Sequence, residues 1–295
     1  YVMKNQESVA LLSSSSSSII IKEEESMLPL TIDNNNDDSN YSKKQKNSGG
    51  SYQKLLLCFL IFLVGWYGPE LYKPTAEQIA SRPIPYQTLS VGQGQEEIVV
   101  LDFRYNQPYV YPSTISSSFL VKTGVWIPLS IIGIISYLFK QQRVGGYKIT
   151  CVFLVAIGIS ECITNVLKFW VRRPRPNFYA HCEFDIVTKT CLAQTHKRLV
   201  ESQLSFPSGH TSLSFCSTTV LVWWFWNHVV IRQNTNKTLI YRMLSILLFW
   251  GWSTFVGVSR IVDYWHHPSD VLAGCMLGVT CATITYHAFF TTTAT

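Results

Sequence analysis

Three short clusters carry nearly all the residues whose types and spacing could do chemistry. The first is Lys168-Phe169-Trp170-Val171-Arg172-Arg173-Pro174-Arg175-Pro176, in which a lysine precedes an Arg-Pro by seven positions. The second is Pro207-Ser208-Gly209-His210, set directly before a long apolar run. The third runs from Ser259-Arg260 to His266-His267-Pro268-Ser269-Asp270. Lys168, Arg175 and Arg260 supply three fixed cations, and His210 and His266 supply two imidazoles. A helix start at Pro207–His210 has unpaired N–H groups and a partial positive charge, both suited to a phosphate. Gly209 lets an anion approach the backbone, and Ser208 suits the N-terminal boundary. Plain N-capping would account for the serine but not for the Gly-His beside it. Pro268 suits the first turn of a following helix. Asp270 then falls close enough to hold a nitrogen of His266, fixing its tautomer and leaving the other nitrogen as nucleophile or base. Phosphoryl transfer needs such a set: cations for the equatorial oxygens, an in-line nucleophile and an acid for the leaving oxygen. With cations and a helix start in those roles, no metal is required.

The elements that must position these residues are apolar segments. The chain of 295 residues is 47% hydrophobic and only 14% charged, against about 25% charged in a soluble domain. Its mean hydropathy is +0.15. Measured against the roughly 20 residues that cross a bilayer, spans are expected at 119–139, 149–171, 211–231, 239–259 and 271–290, with a shorter sixth at 55–67. The predicted fold is therefore all-α, an integral membrane six-helix bundle. Lys43, Lys44, Lys46 and Lys54 before the first span, with Lys140, Arg143 and Lys148 and then Arg232, Lys237 and Arg242, place both termini in the cytosol. The three clusters then sit at the extracytosolic ends of the helices. The connection 172–210 is rich in cations on the side that should be poor in them. Orientation statistics, or headgroup contacts by Arg172 and Arg173 with snorkelling by Lys168, account for part of that; an anion to be bound accounts for Lys168 and Arg175. Glu161, Asn165 and Lys168 share one helix face, and such polar groups usually face the protein interior.

Residues 1–51, with SSSSSS, EEE and NNNDD runs, predict a disordered low-complexity cytosolic tail, leaving 52–295 as the six-span domain. The chain opens on Tyr1, so it reads as a fragment or a processed product. Six of eight cysteines fall in spans, whereas Cys182 and Cys191 share the external 172–210 connection, where a disulfide is chemically permitted. The chain has no CxxC or HExxH pattern, so no structural zinc site is expected. His181, His196, His228 and His287 are expected to be satisfied or solvated, and His267 to serve boundary packing or interfacial contact. Nothing points to nucleic acid as a partner.

Taken in order, K-x6-RP (Lys168, Arg175, Pro176), PSGH (Pro207–His210) and SR-x5-H-x3-D (Ser259, Arg260, His266, Asp270) resemble the three-part signature of the type 2 phosphatidate phosphatase superfamily, and most closely its lipid phosphate phosphatases. The resemblance covers about 52–290. It implies that His266 is the nucleophile of a phosphohistidine intermediate, oriented by Asp270, and that His210 is the general acid. It also implies that Lys168, Arg175, Arg260, Ser208 and the Gly209 backbone bind the phosphoryl oxygens, with no cofactor and no magnesium. The expected substrate is a lipid phosphate in the bilayer, such as phosphatidate, lysophosphatidate or diacylglycerol pyrophosphate. Sphingoid-base phosphate, polyprenyl diphosphate or sugar phosphate would use the same chemistry. A non-catalytic scaffold or transporter would be expected to lack some of these cations or to carry charges in several spans. A homo-oligomer is compatible with all of this. Pro174, the long 68–118 connection and the short first span have no functional account at this level.

Overall fold

The computed structural model describes residues 53–291 apart from 73, 74, 76, 79–81, 92–95, 139–145, 194 and 231–236. The predicted tail 1–51 lies outside the described residues, as does most of each cation-bearing connection around 140–145 and 231–236. The described chain is helical, with two small antiparallel hairpins. Helix α1 spans Gln53–Tyr67. A hairpin of β1 (Tyr86–Val91) and β2 (Glu96–Leu101) follows, in register with Tyr86 opposite Leu101. Next come α2 (Ser117–Leu138), which contains a π turn at Lys122–Trp126, and α3 (Gly146–Val171). Between α3 and the next long helix lie α4 (Phe178–Cys182), β3 (Phe184–Asp185), β4 (Thr190–Cys191) and α5 (His196–Ser202). The last three long helices are α6 (Gly209–Trp224, continued by a π segment Phe225–Val230), α7 (Lys237–Val262) and α8 (Pro268–Thr291).

Among the described residues, four helices are long and apolar enough to cross a membrane: Ser117–Leu138, Gly146–Val171, Thr238–Val262 and Pro268–Phe290. Six were expected from sequence. The expected span at 55–67 is a short apolar helix, and that at 211–231 is an α-helix only to Trp224. Helix α6 is unusual for a physical reason. It is the inner helix, buried from Thr211 to Val222 and packed against α3, α7 and α8. Its Ser212, Ser214, Ser217, Thr218 and Thr219 therefore meet other helices, not lipid. Small and hydroxylated side chains allow close helix approach and cross-helix hydrogen bonds. Thr218 Oγ1 pairs with Ser253 Oγ of α7 at 2.8 Å, Ser212 Oγ with Thr164 Oγ1 of α3 at 2.9 Å, and Trp250 Nε1 donates to Thr219 Oγ1 at 3.2 Å. The outer faces are apolar, with Leu247, Leu248, Val258, Leu272, Met276 and Ile284 exposed.

Two glycine contacts set the helix spacing. A Cβ at Gly278 would lie 2.4 Å from the Ser212 carbonyl oxygen, so α8 packs backbone-close on α6. A Cβ at Gly158 would lie 2.8 Å from Cα of Phe62, which seats α1 equally closely on α3.

Candidate active site

The three clusters meet at one end of the bundle around a cavity of about 830 Å³. Lys168, Arg175, Gly209, His210, Arg260 and His266 all line it. Lys168 comes from the last turn of α3, Gly209 and His210 from the first turn of α6, and Arg260 from the last turn of α7. His266 lies in the turn between α7 and α8, 4% exposed. Ser208 and Asp270 stand behind the wall, fully buried. The backbone links these layers directly, because Ser208 N–H donates to the Asp270 carbonyl at 3.0 Å.

His266 is oriented differently from the sequence expectation. Its Nδ1 lies 2.6 Å from the Ser205 carbonyl oxygen and 3.9 Å from the nearest Asp270 oxygen. A carbonyl can only accept, so Nδ1 carries the proton and Nε2 keeps the free lone pair. Asp270 instead fixes the loop around the imidazole. Its Oδ2 accepts from Ser205 Oγ at 2.5 Å and from His267 N–H at 2.9 Å, while Oδ1 accepts from Arg173 Nη1 at 2.6 Å. The contact to His267 N–H closes the first turn of α8, as an acidic residue three places into a helix commonly does. Geometry explains the correction: with its oxygens taken by three donors, the carboxylate has none directed at the ring. Burial, reinforced by Arg175, Lys168 and His210, holds the His266 imidazole well below its ordinary pKa, so it is neutral at physiological pH.

The three cations are held by separate devices. Arg175 donates through Nε to the Glu201 carbonyl at 2.6 Å and through Nη1 to the Trp265 carbonyl at 3.2 Å, with its guanidinium stacked 4.8 Å from the Trp265 ring centre. Burial brings its pKa down to about 10, which leaves it charged. Arg260, 2% exposed, donates through Nη2 to Asp263 at 3.0 Å. Asp263 in turn accepts from Thr114 N–H and Thr114 Oγ1, each at 2.7 Å. Lys168 rests where a Gly209 side chain would stand, since a Cβ there would lie 2.9 Å from Nζ. Gly209 thus makes room for the lysine as well as for an anion. Ser208 does not cap α6 with its side chain; its Oγ accepts from Thr211 Oγ1 at 3.0 Å.

The long connection before α2 is the roof of this cavity. Besides Thr114, it offers the Ile115 carbonyl to the His210 ring, and its Val110 carbonyl accepts from Trp265 Nε1 at 3.2 Å. Among the described residues, none hydrogen-bonds His210 Nε2. Pro174, unaccounted for in the sequence, gives its carbonyl to His267 Nε2 at 3.2 Å. Cys182 and Cys191 form a disulfide that joins the end of α4 to β4. His181 is fully buried beside it, against Tyr109 and Trp265, and among the described residues none hydrogen-bonds either ring nitrogen.

Sequence reasoning missed Ser205, Thr114, Trp265 and the roles of Arg173 and Asp263. Only Asp263 left a signal, three residues after Arg260 near a helix end, where opposite charges are neighbours. Among the described residues, no three or more His, Cys, Asp or Glu gather into a metal-holding group.

Comparison with known proteins bears on the half of the chain that contains this site. The description that matches residues 149–294 is the PAP2 superfamily. The probable lipid phosphate phosphatase 4 of Arabidopsis thaliana is 37% identical over 150 residues, which are 46% of this chain and 47% of that protein. Lipid phosphate phosphatase 2 of the same plant is 38% identical over 144 residues, covering 46% of this chain and 49% of that protein. Diacylglycerol pyrophosphate phosphatase 1 of Saccharomyces cerevisiae is 25% identical over 211 residues, covering 66% and 71%. The matched region spans about half the length of the plant relatives. No solved structure matches the chain. The cations, both imidazoles and the buried aspartate all fall inside the matched segment, and residues 149–294 of this chain are a PAP2 superfamily domain.

Proposed function

We propose that the chain is an integral membrane phosphatase that hydrolyses the phosphate monoester of a lipid through a phosphohistidine. The observation that carries this is the convergence of Lys168, Arg175, Arg260, His210 and His266 on one cavity at the ends of the helices. Lys168, Arg175 and Arg260 bind the phosphoryl oxygens, with the α6 start and Ser208 beneath them. The His266 Nε2 lone pair attacks phosphorus, the bond to the lipid oxygen breaks, and His210 gives that oxygen a proton. Water then attacks phosphorus as His210 takes its proton, and the P–N bond breaks to return the lone pair to His266. Ser205 fixes the ring directly; Asp270 acts through Ser205, His267 and Arg173.

A lipid substrate is favoured because Phe169, Val200 and Leu204 also line the cavity, beside the cations. A glycerol backbone and the first carbons of its tails fit such a wall while the tails stay in the bilayer. The short helix α1 and the inner helix α6 complete six spans with the four apolar ones, both termini cytosolic and the cavity extracytosolic. The test is phosphate release from phosphatidate in detergent micelles without magnesium, run beside lysophosphatidate, diacylglycerol pyrophosphate and sphingoid-base phosphate. His266→Ala should be inactive on all of them; full activity in that variant would sink the mechanism. External protease acting on the 172–210 connection in sealed cells tests the sidedness.

A further inference from the structure

A second pair of cations, unused by this chemistry, stands at the exit of α3. Arg172 follows the last residue of α3 with φ of 50°, the left-handed region that side chains rarely adopt. Its Nη2 donates to the Gln78 carbonyl, and its buried Nε has no hydrogen bond among the described residues. Arg82, from the segment before β1, donates through Nη1 to the carbonyls of Val171 at 2.9 Å and Arg172 at 3.1 Å. Among the described residues, no carboxylate pairs with either guanidinium. Both arginines line a cavity of about 320 Å³, with Pro83, Pro85, Pro174 and Gln203 in its wall. Its lining shares no residue with the catalytic cavity. Burial, and then the charge of Arg82, hold the Arg172 guanidinium below its usual range, so the two cations oppose each other until an anion arrives.

Two guanidiniums with unused donors, no carboxylate and a rigid proline wall are suited to bidentate recognition of phosphate oxygens. The volume lies in the range of about 300–1,000 Å³ typical of ligand sites. We propose that Arg82 and Arg172 form a second phosphate-binding site, separate from the catalytic cavity, for a phosphate group that is either free or carried by a lipid headgroup. Arg172 combines a left-handed backbone with a guanidinium that lines this cavity.

The test uses the purified full chain and two variants, Arg172→Gly and Arg82→Gln. Glycine suits the left-handed backbone, so Arg172→Gly should melt no lower than wild type in detergent. Both variants should keep the wild-type rate on a short-chain, water-soluble phosphomonoester, which separates this site from the catalytic one. In one arm, inorganic phosphate is titrated calorimetrically; wild type should bind two equivalents, and each variant should bind the second about tenfold more weakly or worse. In the other arm, melting is compared in nanodiscs of phosphatidylcholine with and without phosphatidylglycerol, a phosphodiester outside monoesterase chemistry. A phosphatidylglycerol-dependent rise in wild type that both variants lose assigns the site to headgroups, whereas loss in the first arm alone assigns it to free phosphate. Variants indistinguishable from wild type in both arms overturn the proposal, whichever way the catalytic test comes out.

Discussion

Gly209→Ala separates catalysis from stability by a route that can be worked from distances. The added Cβ would stand 2.9 Å from Lys168 Nζ and 3.7 Å from both Lys168 Cε and Thr164 Cγ2. Comfortable contacts between heavy atoms begin at about 3.5 Å, so the ammonium must retreat by about 0.6 Å while the other two contacts hold. Because the clash is with the far end of a flexible side chain, the fold absorbs it easily. Gly209 is the first residue of α6, outside the helix interior where alanine outranks glycine, so stability should stay close to wild type. Catalysis is less forgiving, since a misplacement of about 1 Å can cost about 10²-fold. For the smaller displacement we expect kcat/KM to fall about tenfold, a barrier increase of about 1.4 kcal/mol. Phosphate release from phosphatidate in magnesium-free micelles reads the first quantity, and thermal melting in the same micelles reads the second. A variant that melts as wild type but turns over slowly fits the geometry. Unchanged kcat/KM, or activity and melting lost in parallel, would refute the assignment of that space to Lys168.

Gly278→Ala should behave oppositely: its Cβ meets α6 backbone at 2.4 and 2.8 Å, so overpacking of about 1–3 kcal/mol should lower melting and activity together. Asp270→Asn removes charge from three hydrogen bonds, at about 1.5–3 kcal/mol, yet leaves the Ser205 carbonyl on His266. Melting should drop while activity falls less than in His266→Ala; complete inactivity with unchanged melting would argue for direct contact. His181, with a pKa pushed down to about 3 by burial, is depressed in the folded state. The unfolded chain therefore takes up its proton first, and stability is lost as pH falls from about 6.5 toward 3. The loss at pH 5 should be about 2 kcal/mol, and His181→Phe should flatten that part of the melting profile against pH.

The parts of the site legible in the sequence are those carried by side-chain type. Lys168, Arg175, Arg260, His210 and His266 could be grouped because charge and imidazole in spaced clusters have few other uses at span ends. Helix positions were legible too, because long apolar runs leave few alternatives. Contacts made by the main chain left no mark. The Ser205 carbonyl on His266 and the Glu201 and Trp265 carbonyls on Arg175 would be present whatever side chains stood there. The tie from Thr114 to Asp263 joins residues 149 positions apart, a separation no local pattern encodes. Helix α6 was legible as a span from its apolar run, but its central place in the bundle was not. Its serines and threonines could have marked it as interior, but small polar residues also occur at water-facing positions.

The Ser205 carbonyl has a genetic consequence. Every residue in a polypeptide carries that oxygen, so no missense change at position 205 deletes the acceptor that sets the tautomer of His266. Substitutions there can reach the imidazole only by moving the chain or by depriving Asp270 of a hydroxyl. A saturation scan would therefore score the most direct determinant of nucleophile orientation as an ordinary packing position. The inherited constraint would show up displaced, at Asp270, Arg173 and the turn into α8, where the course of the backbone is decided.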